Sequence, residues 1–342
     1  MLERSLSKSA ILMVVLVFIS VVVWELYLRS KGYETSVDDD PALWANQREK
    51  VYEPADLATV FIGSSRIKFD LDIDSWQAIT GDHAIQLACV GSSPLPVLVN
   101  LADDKKFKGR LVVDVTERLF FSSNSSRRPD EGIKQYKTQT PAQRASFQIN
   151  RVLESQFVFF DKDRLSLGAY LDHIPLHNRS GVFHFSGFPS DFGRVKFNRQ
   201  EYMTNKMAAD TSIQNVVKKI WASFDKDTTF RPTSGKKLDS ILTVVKTAVD
   251  KIKSRGGDVL FVRTPSSGNL LARENKYYPR QQYWEKLLTA TNCPGIHYTD
   301  FPELNNLVCP EESHLSLADA KVFTTHFVNL LKTKGWTFPA SK

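Results

Sequence analysis

Two short motifs far apart in the chain carry residue types that could act together as a nucleophile and its base: Gly63-Ser64-Ser65-Arg66 and Glu311-Glu312-Ser313-His314. A serine hydroxyl is a weak nucleophile until a neighbouring base accepts its proton, and the base works best when a third group holds its tautomer. Ser65, His314 and Glu311 have the chemistry for those three roles, and the spacing from Glu311 to His314 lets one turn of backbone bring both side chains into one cleft. Each motif also has a plainer meaning. Gly-Ser-Ser is a common loop sequence, and Glu-x-x-His before a helix can be N-terminal capping, with carboxylates favoured near the positive end of the helix dipole.

The elements around the motifs decide how they are presented. Leu57 to Ile62 is an apolar, β-branched run that predicts a buried strand. Gly63 permits a sharp exit, which leaves Ser64 and Ser65 at the carboxyl end of that strand, where open α/β sheets hold their ligands. A second apolar run, Ala84 to Val90, leads into Gly91-Ser92-Ser93-Pro94 and a helix over Pro94 to Ala102. Arg110 to Val115 reads as a third strand. Helical spacing over Leu238 to Lys253 stops at Gly256-Gly257, and Asp258 to Val262 is again a strand. It ends at Arg263, which could bind an anionic substrate or form a structural ion pair. A helix over Tyr283 to Ala290, a short strand over Ile296 to Tyr298 and a helix over Leu315 to Leu331 complete the pattern. Such alternation predicts an α/β fold, with a parallel sheet covered on both faces.

With these blocks in this order, the chain resembles the SGNH (GDSL-like) hydrolase and acyltransferase superfamily, over roughly residues 57 to 117 and 237 to 334, about half of its length. The family's Gly-Asp-Ser block is matched by Gly63, Ser64 and Ser65, its second-block glycine by Gly91, and its Asp-x-x-His block by Glu311 and His314. The resemblance implies a three-layer α/β sandwich with a mostly parallel sheet (SGNH/flavodoxin-like) and no cofactor. It makes Ser65 the nucleophile, His314 the base and Glu311 its orienting partner, with the backbone amides of Ser65 and Gly91 forming the oxyanion hole. The chain departs from the pattern twice. The third block, Leu111 to Arg118, has neither the glycine nor the asparagine of the family, which leaves Thr116 or Arg118 to stand in for the missing oxyanion donor. Glu311 replaces an aspartate with a longer side chain.

The Gly-Ser-Ser-Arg variant is similar to a membrane-associated branch that modifies cell-envelope polymers, including alginate O-acetylation and teichoic-acid D-alanylation proteins. That resemblance implies a serine O-acyl esterase or acyltransferase acting on envelope or exported polysaccharide, or a non-catalytic binding or scaffold subunit of such a system. The implied partners are a carbohydrate polymer or acyl donor and a membrane-bound O-acyltransferase.

Composition fits a folded, membrane-attached protein. In 342 residues, 42% are apolar, enough for a sizeable core, and the formal charge of +7 is spread along the chain rather than gathered into a tract, which argues against nucleic acid as a partner. Ala10 to Leu28 is nearly uninterrupted apolar sequence, broken late by Glu25 and followed by Arg29, and is long enough to cross a bilayer. Its end, Trp24-Glu25-Leu26-Tyr27-Leu28-Arg29, looks like an interfacial belt rather than a cleavage site, so residues 1–29 read as an uncleaved signal anchor. Arg4 and Lys8 are opposed by Arg29 and Lys31 under the positive-inside rule; the acidic run Asp38 to Asp40 and the short leading tail favour a cytoplasmic N-terminus. The main domain would then be periplasmic, on the outer side of the cytoplasmic membrane.

Residues 30–56 read as a linker or collar containing a short helix from Pro41, residues 57–117 and 236–336 as the α/β core, and residues 118–235 as an inserted cap or lid. The aromatics of the cap could form its own small core or line a groove for a sugar polymer or acyl donor. His173, His177 and His184 read as surface or packing residues, and no Cys-x-x-Cys or His-rich tract marks a metal site. Cys89 reads as a small buried hydrophobe, whereas Cys293 and Cys309 could pair in an oxidising compartment.

Overall fold

A computed structural model describes residues 2–122, 127–172, 187–223 and 231–339, with side chains from residue 6. His173, His177 and His184, most of the aromatic and glycine-rich segment 182–189 and most of the serine-rich loop 122–126 fall outside the described residues.

The strands in chain order are β1 Ala58–Ile62, β2 His83–Gln86, β3 Arg110–Asp114, β4 Gly193–Val195, β5 Glu201–Met203, β6 Asp258–Arg263 and β7 Gly295–His297. Five of them form one parallel sheet in the order β2-β1-β3-β6-β7, and β4 and β5 form a separate antiparallel hairpin. Strand residues alternate between two cores, as a period of two requires. Val60, Ile62, Leu111, Val113, Val259 and Phe261 pack against the helices Leu95–Asp103, Gly235–Lys253 and Trp284–Thr291. On the opposite face, Phe61, Val112, Leu260, Val262 and Ile296 meet the helices Ile73–Thr80 and Leu317–Thr333. Burial on both faces accounts for the continuous apolar runs of β1, β3 and β6, in which polar alternation is absent.

The order of the sheet positions the site. From β1 the chain passes to β2 on one side and then returns to β3 on the other, so the connections at the carboxyl ends of β1 and β3 lead in opposite directions and leave a crevice. Ser65 follows β1 and Thr116 follows β3, on either side of that switch point.

The chain divides into two compact units: Met1–Asp38 with Ala145–Gly187, and Asp39–Arg144 with Phe188–Lys342. The boundaries differ from the linker-and-cap expectation. Residues 39–52 belong to the sheet-bearing unit because the helix Pro41–Glu49, capped by the Asp40 carboxylate, is tied in by Trp44, whose indole N–H donates to the Leu87 carbonyl at 3.0 Å. Residues 188–223, expected in the cap, also belong to this unit. There the hairpin carries Arg199, which is buried and donates to Asp39 and to the Gln86 carbonyl. Within the other unit, Leu6–Ser30 is one helix long and apolar enough to cross a membrane.

Cys293 and Cys309 are both free and buried, their thiols resting against the carbonyls of Thr291 and Pro265 respectively, so the pairing considered for them is not formed.

Asp39, Lys68 and Arg199 make a buried ionic cluster under the helix Ser65–Asp70, with Lys68 also reaching Glu201 of the hairpin. Burial by itself would raise the Asp39 carboxyl, but Arg199 and Lys68 outweigh it and hold the group far below the usual carboxylate range. Asp39→Ala leaves both cations without that partner and should destabilise the protein by about 3–5 kcal/mol in urea unfolding at pH 7. Since the folded value lies below the unfolded 3.8, the wild-type advantage should be present above about pH 4 and decline as the medium is made more acid.

Candidate active site

Glycine at position 63 is a steric requirement. A Cβ there would lie 2.5 Å from Asp114 Cβ and 2.8 Å from Ile67 Cγ2, so only glycine lets the end of β1 pass this close to the end of β3. The approach lets Ser64, the N-cap of the helix Ser65–Asp70, meet Asp114 through its amide and hydroxyl, and Thr116 through a 2.6 Å contact between hydroxyls. Thr116 in turn donates to Asp114 at 3.1 Å. Ser64 therefore anchors the turn from inside.

The next residue faces outward. From 58 to 73, every residue except Ser65 is buried. Its Oγ is 2.9 Å from His314 Nε2, and His314 Nδ1 is 2.7 Å from Glu311 Oε1. That same Glu311 oxygen accepts the His314 backbone N–H at 2.6 Å, and the other carboxylate oxygen accepts the Trp221 indole N–H. With Glu311 acting as acceptor toward Nδ1, that nitrogen carries the imidazole proton and Nε2 presents its lone pair to the serine. The arrangement can deprotonate a serine hydroxyl as it attacks.

The backbone brings Glu311 and His314 together by a tight turn. Glu312 adopts φ +83, uncommon for a residue with a side chain, and three hydrogen bonds hold it there: its amide to the Cys309 carbonyl, its carbonyl from the Ser267 amide and its carboxylate from the Leu270 amide. The Glu311 carboxylate is held by Trp221 on one side and by its own turn on the other. Phe69 packs on the imidazole with ring centroids 4.4 Å apart, and Phe192 meets it edge-on at 5.6 Å. Trp221, Phe192 and Phe69 also join Met203, Met207 and Val217 in a small third core. Some aromatics of 188–223 thus pack in a small core, one of the two readings considered for them, and Phe192 and Trp221 also border the histidine.

Of the expected oxyanion donors, the Ser65 amide sits at the first position of a helix, where no intrahelical acceptor exists. Gly91, exposed and at φ +61, lies two residues past Cys89, whose amide bonds the Gly63 carbonyl. Thr116 is occupied in the Ser64–Asp114 chain. Arg118 lies in the short helix Glu117–Phe120, where its charge bears on Tyr278. Arg263 is not a surface cation: it is buried, ion-paired to Glu117 at 3.0 Å and to Glu274 at 2.6 Å, and bonded to Ser266. Arg66 reaches the same Glu274 from the helix Ser65–Asp70. Burial would raise the Glu274 carboxyl, yet the two guanidinium groups pull it well below its ordinary value. Arg263 therefore braces the helix that presents Ser65.

Two residues at the site were not found by sequence reasoning. Trp221 comes from the helix Thr211–Ser223, ninety positions from the carboxylate it bonds, and nothing in its neighbourhood marks it. Asp70 closes the helix Ser65–Asp70, where a carboxylate among Ile67, Phe69 and Leu71 is the one signal that could have found it. It is fully buried; Oδ1 accepts the Leu315 amide, directly after His314, while among the described residues no side chain or backbone donor reaches Oδ2. Burial pushes its carboxyl up to about 7, against the pull of His314 and the Leu315 amide.

Among the described residues, no group of three or more His, Cys, Asp or Glu side chains is disposed to hold a metal ion. No protein-family model and no curated protein sequence matches this chain.

Trp221→Phe keeps the ring packing but removes the Glu311 donor, and should slow any Ser65 acylation by about tenfold, read as the rate of covalent labelling, with folding unchanged by circular dichroism. Asp70 contributes stability fully below its unfolded value of 3.8 and loses it as pH rises through about 7, because the native state must then give up a proton from a buried group. Asp70→Asn cannot ionise. Urea unfolding at pH 5 and pH 8 should show the variant gaining on wild type by a few kcal/mol, roughly, at the higher pH.

Proposed function

We propose that the protein is a membrane-anchored serine O-acyl esterase or acyltransferase of the SGNH type, with its sheet-bearing unit on the periplasmic side of the cytoplasmic membrane and an envelope or exported polysaccharide as substrate. The observation that carries the reading is the relay from Ser65 Oγ through His314 to Glu311, with Ser65 alone in its segment open to solvent. The family assignment draws on the blocks around Gly63, Gly91 and His314, and the anchor on the apolar helix Leu6–Ser30.

In this reading, Ser65 Oγ attacks the ester carbonyl carbon while its proton passes to His314 Nε2. Negative charge gathers on the carbonyl oxygen, held by the amides of Ser65 and Gly91. The tetrahedral intermediate collapses, the imidazolium returns the proton to the leaving alkoxide, and the acyl group remains on Ser65. Attack by water then gives hydrolysis, and attack by a sugar hydroxyl gives transfer, with His314 again accepting and returning one proton. Glu311 stabilises the imidazolium in both halves, and Trp221 keeps its carboxylate from turning away. A membrane-bound O-acyltransferase is the partner that would deliver acyl groups in the transfer mode.

A second reading, a polysaccharide-binding or scaffold subunit without efficient chemistry, is favoured by one feature: Thr116, which stands in for the third-block donor, has its hydroxyl bonded to Ser64 and Asp114. Loss of one oxyanion donor lowers rates by about a hundredfold to a thousandfold. A fluorophosphonate probe separates the two. The enzyme reading expects labelling that disappears in Ser65→Ala and falls at least about a hundredfold in His314→Ala, together with acetate release from O-acetylated glycan. Binding of glycan with no Ser65-dependent labelling and no acetate release would select the scaffold.

A further inference from the structure

Glu25 is a carboxylate near the end of an otherwise apolar helix, and an unsatisfied charge there would be costly in lipid. It is not unsatisfied. Its two oxygens accept the backbone amides of Val158 at 3.0 Å and Phe159 at 3.2 Å, and Arg29 bonds both Glu25 and the Gln156 carbonyl. Leu28 and Val158 are buried within this same unit. A segment distant in sequence is thus fastened to the last turns of the helix.

That attachment sets a depth. At a rise of about 1.5 Å per residue, the apolar run from Ala10 to Leu28 is about 28 Å long, close to the thickness of a bilayer's hydrocarbon layer. Glu25 lies three residues before its end, so the bonded amides sit within about 5 Å of the boundary between hydrocarbon and headgroups. Trp24 and Tyr27 stack at 5.7 Å on the helix at the same level, the residue types that favour that boundary.

The fastened segment has the surface such a location needs. It consists of the turn Val158–Phe160 and the short helices Lys162–Leu165 and Leu167–Asp172. Phe157, Phe160, Tyr170 and Leu171 are exposed, and Leu167 is 74% exposed. Phe157, Phe159 and Phe160 form a ring cluster with centroids 4.6 to 6.3 Å apart. The two cations of the segment are engaged with partners of their own: Lys162 with Asp38, and Arg164 with Asp161 and the Tyr33 ring. Large apolar side chains gathered in water are unfavourable, but at the headgroup boundary they would be buried.

We propose that residues 157–171 form a foot embedded in the outer interface of the bilayer, clamped to the membrane-spanning helix by Glu25. The proposal rests on the reading of Leu6–Ser30 as a membrane span. The occupant of the apolar surface is lipid, because the surface is continuous with the span and held at its boundary.

The test uses the full chain in vesicles of phosphatidylethanolamine and phosphatidylglycerol, with a polarity-sensitive thiol label on Phe160→Cys, Leu167→Cys or Phe18→Cys in turn. The unsubstituted chain, with its three buried cysteines, gives the background. Phospholipids brominated at shallow or deep acyl positions quench from the bilayer, and iodide quenches from water. The foot predicts at least twofold quenching of Phe160→Cys and Leu167→Cys by shallow bromines, and of Phe18→Cys by deep ones. Deep quenching at position 18 with iodide quenching alone at 160 and 167 would overturn the foot and keep the anchor. Shielding of 160 and 167 from both quenchers would mean a protein cover and would also overturn it. No lipid quenching at position 18 would remove the anchor and the foot together.

Discussion

The close passage of β1 against β3 at Gly63 is the constraint on which the candidate site depends. No side chain larger than hydrogen fits between the backbone there and Asp114. Because the strands approach so closely, Ser64 can turn inward onto Asp114 and Thr116, and the following residue must turn outward. One buried hydrogen-bonded serine thus fixes the direction of its half-buried neighbour. Burial pushes the Asp114 carboxyl up while Arg66 and the Ser64 amide pull it down, so this small network holds its shape within a low-dielectric interior.

Around that passage the protein invests buried charge. Arg66 and Arg263 share Glu274, Lys68 and Arg199 share Asp39, and all of these bonds converge on the helix Ser65–Asp70. Buried ion pairs contribute little net stability compared with apolar packing, but breaking one by removal of a partner is strongly destabilising. Their effect is to hold a six-residue helix, too short to be stable by itself, in one orientation. The His314 side is held by different means: a turn with positive φ at Glu312, an indole hydrogen bond from Trp221, and rings packed on the imidazole. Two rigid supports with separate origins meet at a single 2.9 Å contact between serine and histidine.

Much of this was legible in the sequence because short-range patterns carry it. The buried runs of β1, β3 and β6 announce a parallel sheet, and the spacing from Glu311 to His314 is local. Gly63 was readable as a sharp exit, though not as a steric necessity, since the Asp114 it passes is distant in sequence. Long-range pairing was hidden. Nothing near Trp221 names Glu311 as its partner, and Arg263 at the carboxyl edge of a strand looks the same whether it faces a ligand or Glu117. Residues 39–52 read as linker because their polar composition conceals that Trp44 reaches Leu87. Glu25, an apparent flaw in an apolar run, found its explanation in two amides more than a hundred residues on.

The central claim is that the Ser65–His314–Glu311 relay makes Ser65 a nucleophile. Intact-mass spectrometry of the full-length protein, quenched in acid within the first turnover of an activated acetyl ester and followed by peptide mapping, tests it most directly. The account predicts a single acetyl group on Ser65 that is absent in His314→Ala. Acetylation that never reaches Ser65, or that reaches it equally well without His314, would contradict the account.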